Sequence, residues 1–108
     1  MTLKCTLYLG LNDKDSKKQE IETDVCKQVL LYTMLNQRLD GTIIEAQGVY
    51  THENDTVTVE NSFKIELLCF MDEKEFMGKI RKIVNYLKAA LNQESVAVVR
   101  EYINSELW

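Results

Sequence analysis

Two glutamates, Glu60 and Glu94, are the side chains best suited to acid–base chemistry in this 108-residue sequence. If the two carboxyl groups lie close together, their repulsion raises the pKa of one of them, which could then act as a general acid or base. The structural alternative is that each carboxylate binds backbone N–H groups at a strand end. The only histidine, His52, lies in a polar segment at residues 52–55, and we interpret it as a solvated turn residue.

The three cysteines, Cys5, Cys26 and Cys69, are an odd number without Cys-X-X-Cys spacing, which argues against a disulfide framework. Nucleophilic catalysis by cysteine requires a nearby base and an electropositive setting. Cys5 and Cys69 fall on inward faces of predicted strands, where we expect small buried hydrophobic residues; Cys26 could be partly exposed. One histidine and scattered carboxylates do not make a metal site. The sequence therefore assigns no catalytic residue, metal or cofactor.

The chain carries 13 basic and 17 acidic residues, a net charge of −4. Because nucleic-acid-binding proteins usually have a basic face, we expect no nucleic-acid partner. No apolar segment approaches the roughly 18 residues that cross a bilayer, and the N-terminus lacks the features of a signal peptide. We therefore expect a cytoplasmic protein without membrane contact, folded as one domain over residues 1–108.

The spacing of apolar residues predicts the order strand, helix, strand, strand, helix, strand. The predicted strands cover Leu3–Leu11, two hairpin arms within Asp40–Phe70, and Gln93–Ile103. The first helix is predicted over Lys18–Arg38, and the second follows Asp72, whose side chain we expect to cap it. This order predicts a ferredoxin-like βαββαβ sandwich of the α+β class. Its four-stranded antiparallel sheet has both helices on one face and the first strand between the third and fourth.

The first predicted helix is apolar around much of its circumference. One stripe at helical spacing predicts the core face and consists of Ile21, Val25, Val29, Tyr32 and Leu35 or Leu39. Further apolar residues, Cys26, Leu30, Leu31 and Met34, widen that face beyond what one sheet would cover. The width indicates either a broad core face or a second surface buried at a subunit contact. Since the other face of the sheet would also be open, we expect a homo-oligomer.

The predicted topology brings polar groups from separated segments to one end of the sheet. The first two strands end there, the last two begin there, and the first helix starts nearby, where its N-terminus would favour an anion. Two tyrosines at this end could stack on a planar ligand, although they could equally be ordinary sheet residues. The predicted ligand-binding residues are Tyr8, Gly10, Lys14, Lys18, Tyr50, His52, Glu60, Ser62, Gln93 and Glu94.

Five short motifs, at residues 6–11, 40–42, 48–50, 60–62 and 93–96, occur in an order that resembles a family of small bacterial α/β domains of unknown function. The resemblance covers nearly the whole chain and implies that Glu60, Ser62, Gln93 and Glu94 matter, but it implies no activity. The topology is also similar to that of PII-like signalling proteins, which are trimers that bind nucleotides in clefts between subunits. The absence of a phosphate-binding motif limits that similarity to topology.

Three functions fit these observations. The first is a non-enzymatic oligomeric module that captures or senses a small anionic, nucleotide-like ligand; a phage-encoded inhibitor that sequesters a host defence signal would be one example. The second is a protein-interaction module that uses the open sheet face or an edge strand. The third is a small enzyme of the dimeric ferredoxin-like type that acts through Glu60, Glu94 or His52.

Overall fold

The computed structural model describes residues 1–108 and confirms the ferredoxin-like βαββαβ order. Four antiparallel strands form one sheet in the order β2-β3-β1-β4, so the first strand lies between the third and the fourth. No helix is both long and apolar enough to pass through a bilayer. The elements are β1 (Thr2–Gly10), α1 (Thr23–Asn36), β2 (Thr42–Thr51), β3 (Val57–Leu68), α2 (Glu73–Ala90) and β4 (Ala97–Ile103).

The register of the strands determines which residues share a face of the sheet. Tyr8 of β1 pairs with Lys64 of β3 on one side and with Ala97 of β4 on the other. Glu60 of β3 pairs with Gly48 of β2. Because directly paired residues point to the same face and alternate residues share a face, these residues all lie on the open face, opposite the helices.

The core lies between the sheet and the two helices. The central strands β1 and β3 contribute alternate residues such as Leu7 and Ile65, and α2 contributes Phe76 and Ile80, all at most 1% exposed. Asp72 caps α2 as predicted, since its carboxylate accepts a hydrogen bond of 3.0 Å from the Glu75 backbone N–H. Eighteen buried hydrophobic residues form a single cluster, so the sheet and both helices share one core.

Two predictions for the first helix were wrong. The helix begins at Thr23 rather than near Lys18, because residues 13–18 fold back on themselves in a hydrogen-bonded loop. Its buried face contains Cys26, Leu30 and Met34, whereas three members of the predicted core stripe, Val25, Tyr32 and Leu35, are at least half exposed. Apolar residues surround this helix, so spacing alone could not identify the side that meets the sheet.

The β2–β3 hairpin extends beyond the helices. On the helix-facing side of β3, Phe63, Ile65 and Leu67 are buried, but Val57 and Val59 on the same side are exposed. The turn at the hairpin tip is closed by a 2.8 Å hydrogen bond from the His52 N–H to the Thr56 carbonyl. The projecting half of the hairpin therefore forms a free wall at one end of the sheet.

Candidate functional site: a cavity at the rim of the sheet

An open cavity of about 570 Å³ lies at the end of the sheet from which the hairpin projects. Its volume falls within the range of about 300–1,000 Å³ that is usual for small-molecule sites. Four segments build it: the end of β1 with the loop that follows, the hairpin arms, and the corner before β4. This rim cavity is lined by Tyr8, Gly10, Asn12, Asp13, Lys14, Lys17, Tyr50, His52, Thr58, Glu60, Gln93, Glu94, Ser95 and Ala97.

Glu60 lies against the backbone of β1 at the cavity wall. Its Oε2 accepts a hydrogen bond of 2.7 Å from the Asn12 backbone N–H. A Cβ atom at Gly10 would stand only 2.5 Å from Glu60 Oε1, so only glycine at position 10 leaves room for the carboxylate. The carboxylate is therefore held in place by the strand next to its own, with Oε1 not used by that hydrogen bond.

Two tyrosines give the cavity its apolar surface. Tyr8 and Tyr50 are about half exposed, at 45% and 50%. Tyr50 folds back along β2, since a Cβ atom at Gly48 would lie 2.8 Å from its hydroxyl oxygen. The register of β2 and β3 continues through Gly48 without a bulge, so this glycine serves the close approach of the ring. The rings are available for contact with a planar ligand.

His52 belongs to the hairpin wall. Its Nε2 lies 2.8 Å from the hydroxyl oxygen of Thr58 across the hairpin. The contact ties the two arms together beside the cavity. The hydrogen bond joins His52 to a neutral hydroxyl group rather than to a carboxylate, which does not match the pairing of a catalytic base with an acidic partner.

The opposite wall is the loop after β1, which is fastened to the corner between α2 and β4. Gln93 is buried, and its side-chain amide donates to the Asn12 carbonyl at 2.8 Å. Asn92 donates to the Asp13 carboxylate at 2.8 Å. This bond, with two further bonds from backbone N–H groups, holds the pKa of Asp13 below its ordinary value. The loop wall is thus built from mutually satisfied polar groups.

Charges of both signs line the rim cavity. Asp13, Glu60 and Glu94 supply carboxylates, and Lys14 and Lys17 supply ammonium groups. The ion pairs of the protein involve Lys4, Lys27 and Lys64 and lie elsewhere. Because opposite charges face one space without pairing with each other, the cavity suits a small ligand that itself carries positive and negative groups.

Thiol and metal chemistry have little support. All three cysteines are free and buried, including Cys26, for which the sequence had left partial exposure open. Burial raises the pKa of the Cys5 and Cys26 thiols, which disfavours the nucleophilic thiolate. No three His, Cys, Asp or Glu side chains are grouped so that they could hold a metal ion.

Eight of the ten predicted site residues line the rim cavity: Tyr8, Gly10, Lys14, Tyr50, His52, Glu60, Gln93 and Glu94. Lys18 and Ser62 do not line it. The Lys18 carbonyl instead closes the loop after β1. Ser62 is the direct partner of Gly10 in the sheet but is not itself among the lining residues. No residue of α1 lines the cavity, so the predicted contribution of its N-terminus is absent.

Six residues that line the cavity were not among the ten predicted: Asn12, Asp13, Lys17, Thr58, Ser95 and Ala97. Asn12 and Asp13 are placed by hydrogen bonds to distant residues, which sequence spacing does not reveal. Thr58 was detectable in principle, because alternation along β3 places it on the same face as Glu60.

The chain belongs to the family described as "Protein of unknown function (DUF3574)", whose profile matches residues 4–106. This match confirms the resemblance to a small domain family of unknown function. A comparison with curated proteins gave no match.

Two solved structures of a phage SAM lyase are similar to this chain. The first, in complex with S-methyl-5'-thioadenosine, has a TM-score of 0.70 and 26% identity, and the alignment covers 93% of this chain and 80% of that one. The second, in the apo state, has a TM-score of 0.66 and 25% identity, and the alignment covers 98% of this chain and 91% of that one. The similarity therefore extends over nearly the whole of this chain.

Proposed function

We propose that this protein binds S-adenosylmethionine (SAM) in the rim cavity and cleaves it as a lyase, releasing S-methyl-5'-thioadenosine (MTA). The observation that carries the proposal is the similarity, over 93% and 98% of this chain, to structures of a phage SAM lyase. The rim cavity supports it independently, because it combines aromatic surface with charges of both signs.

The chemistry of SAM fits the groups that line the cavity. Its adenine ring is planar, and stacking of a base on an aromatic side chain contributes about 1–3 kcal/mol. Tyr8 and Tyr50 offer such surfaces. The sulfonium and ammonium groups of SAM are cations and its carboxylate is an anion. Glu60 and Glu94 can pair with the cations.

The proposed reaction breaks the bond between the sulfonium sulfur and the γ carbon of the amino-acid chain. The sulfur keeps both electrons and becomes the neutral thioether of MTA. As the bond breaks, the γ carbon receives a new electron pair in one of two ways. In one, an oxygen of the same chain's carboxylate bonds to the γ carbon and gives a lactone. In the other, a proton leaves the β carbon and gives an alkene.

We assign to Glu60 the role of binding the ammonium group of the substrate. It is held by the Asn12 N–H through one oxygen, and it can pair with the substrate ammonium group through the other. In the lactone route no base is required, and Glu60 only binds and orients. In the alkene route Glu60 or Glu94 would accept the β proton.

We infer that the working form is a homo-oligomer. The cavity opens on the uncovered face of the sheet, where Tyr8, Ile44 and Val99 are exposed. The exposed side of α1, with Val25, Tyr32 and Leu35, offers a second apolar surface. Native mass spectrometry tests this inference: a monomer at micromolar concentration contradicts it.

Three free cysteines also fit a reducing compartment, in keeping with a cytoplasmic location.

The test of the proposed function is the rate at which MTA forms from SAM, measured by liquid chromatography and mass spectrometry. We expect formation well above the rate in buffer alone. Glu60→Gln should lower the rate by about a hundredfold, since a charge-assisted hydrogen bond contributes about 1.5–3 kcal/mol. Glu45→Gln is the matched control, because Glu45 lies on the same hairpin but pairs with Phe63 on the helix-facing side.

One outcome of this test contradicts the lyase, and another contradicts the assigned site. MTA that forms no faster than in buffer excludes cleavage, and wild-type activity in Glu60→Gln excludes the assigned site. Calorimetric binding of SAM without any turnover would leave the protein as a capture module. The sequestering form of that hypothesis has no support from the similar structures, which belong to a lyase.

A further inference from the structure

The loop after β1, residues 12–18, is folded tightly on itself around Asp13. The Asp13 carboxylate accepts hydrogen bonds from the backbone N–H groups of Asp15 and Ser16, at 2.9 and 3.0 Å. The Lys17 N–H donates to the Asp13 carbonyl and the Asp13 N–H to the Lys18 carbonyl, both at 2.9 Å. This closed ring puts Lys17 in the left-handed region, at φ 64°.

Asn92 fastens this loop to the end of α2. Its side-chain Nδ2 donates to Asp13 Oδ1 at 2.8 Å and to Asp15 Oδ2 at 2.9 Å. Its backbone carbonyl accepts the Lys14 N–H at 3.0 Å. One residue therefore makes three hydrogen bonds to the loop, and we call this set of contacts the Asn92 clasp.

A comparison of the C-terminal ends of α1 and α2 shows which contacts belong to the Asn92 side chain. Both helices end in a Schellman motif with a non-glycine residue in the left-handed region, Arg38 at φ 53° and Asn92 at φ 48°. Matching backbone hydrogen bonds close both ends, from Leu39 to Met34 and from Gln93 to Lys88. The Arg38 side chain makes no hydrogen bond or ion pair, whereas the Asn92 side chain carries the clasp.

The carboxylates of the loop are hydrogen-bonded within the clasp, apart from its lysines. The Asp13 carboxylate accepts from the Asn92 amide and two backbone N–H groups, and the Asp15 carboxylate accepts from the same amide. Neither carboxylate forms an ion pair with a lysine. Lys14 and Lys17 line the rim cavity and also have no ion-pair partner. Lys14 is near enough to Asp13 for its charge to help lower the pKa of that carboxyl group, but neither lysine is held in an ion pair. Two lysines without an ion-pair partner thus line the cavity on a loop whose backbone is fixed, which lowers the ordering cost of binding an anion.

We propose that this loop is an anion subsite, in which Lys14 and Lys17 bind the carboxylate of the amino-acid part of SAM and Asn92 is the residue that positions them. The inference rests on the proposed function and adds to it the part of the substrate that the loop recognises. MTA has no amino-acid part, and decarboxylated SAM keeps the sulfonium and amino groups but lacks the carboxylate. The three compounds therefore separate this subsite from the rest of the cavity.

The first experiment is isothermal titration calorimetry of three lysine variants with SAM, decarboxylated SAM and MTA. Lys14→Met and Lys17→Met should each weaken SAM binding by about fivefold to twentyfold, within the range of a charged hydrogen bond. Both should bind MTA and decarboxylated SAM within about twofold of wild type. Lys18→Met is the matched control, since it removes the same charge from the same loop outside the cavity, and SAM affinity should be unchanged.

The subsite is overturned if Lys14→Met and Lys17→Met bind SAM as wild type does, or if they lose SAM and MTA equally. It is also overturned if wild-type protein binds decarboxylated SAM as tightly as SAM. Failure of the proposed function itself gives a different result: wild-type protein binds neither SAM nor MTA.

The second experiment separates positioning by Asn92 from general stability. Asn92→Gly keeps the left-handed backbone and removes the clasping amide, and Arg38→Gly makes the same backbone change at the end of α1. Asn92→Gly should weaken SAM binding by about fivefold, leave MTA binding unchanged, and move the pKa of Asp13 up toward its ordinary value in a carboxyl NMR titration. Arg38→Gly should change none of the three. If the pKa of Asp13 rises in Asn92→Gly while SAM affinity stays at the wild-type value, Asn92 does not position the subsite.

Discussion

The two halves of β3 have the same alternating sequence pattern but different surroundings. In the half from Phe63 to Leu68, one face is buried under the helices. In the half from Val57 to Asn61, the helices no longer cover that face, and Val57 and Val59 are more than half exposed. The core half stabilises the fold, and the projecting half places Thr58 and Glu60 at the rim cavity. One strand thus joins a structural region to a candidate site.

The largest contrast between the halves should appear in stability. Ile65→Ala should lower the free energy of unfolding by about 2–5 kcal/mol, because it opens a cavity in a closely packed core. Val59→Ala, on the same side of the strand, should change it by no more than about 0.5 kcal/mol. Chemical denaturation measures both, and equal losses would contradict the division of β3 into two halves.

Two glutamates on the open face of β3 sharpen the comparison. Glu60→Gln should weaken SAM binding by about a hundredfold in calorimetry, while the amide oxygen can still accept the Asn12 N–H and preserve the fold. Glu66 lies in the core half and pairs with Lys4 and Lys64 at 3.4 Å each. Glu66→Gln should leave SAM binding within about twofold of wild type. Equal losses in the two variants would remove the reason for locating the site in the projecting half.

Two glycines provide a smaller and more local test. Gly10→Ala places a methyl group 2.5 Å from Glu60 Oε1, so the carboxylate must move. SAM affinity should therefore fall by about tenfold, roughly 1.4 kcal/mol. At Gly78 in α2 an added Cβ meets no atom within 4 Å, so Gly78→Ala should stabilise the protein by about 0.5–1 kcal/mol. Unchanged binding in Gly10→Ala would show that the position of Glu60 is unimportant.

The smallest effect concerns pH. Hydrogen bonding to Lys64 and the charge of Lys4 hold the pKa of Glu66 below its ordinary value of 4.5. Because the pKa is lower in the folded than in the unfolded state, the stabilisation is present above the ordinary pKa and disappears as the pH falls through the folded value. The stability difference between wild type and Glu66→Gln should shrink over that interval. A difference that grows on acidification would have the wrong sign.

Much of the fold was predictable because its signals are periodic. Alternation in β1 and β3 and the apolar stripe of α2 required only the spacing of residues. The buried face of α1 was not predictable, because apolar residues surround that helix. Cys26 and Leu30 are buried because of the way the helix packs on the sheet. The start of α1 was misplaced because the ring of hydrogen bonds around Asp13 competes with a first helical turn.

The location of the site was predictable to the extent that topology determines it. Strand order alone places Tyr8, Glu60 and Glu94 at one end of the sheet. The part that was missed depends on contacts between residues far apart in sequence, such as Asn12 with Glu60 and Asp13 with Asn92. The sequence suggested only a small anionic, nucleotide-like ligand, because mixed charges in a cavity fit many small molecules. The proposal of SAM depends on the similarity to solved structures.

The most direct test of the account is an NMR titration of the 15N-labelled protein with MTA. We predict that the backbone amide signals of Gly10, Asn12 and Glu94 shift on binding, because these residues line the rim cavity. The signals of Leu3 and Tyr102, which pair at the other end of the sheet, should not move. Shifts confined to that other end, or none at saturating MTA, would contradict a nucleoside site in the rim cavity.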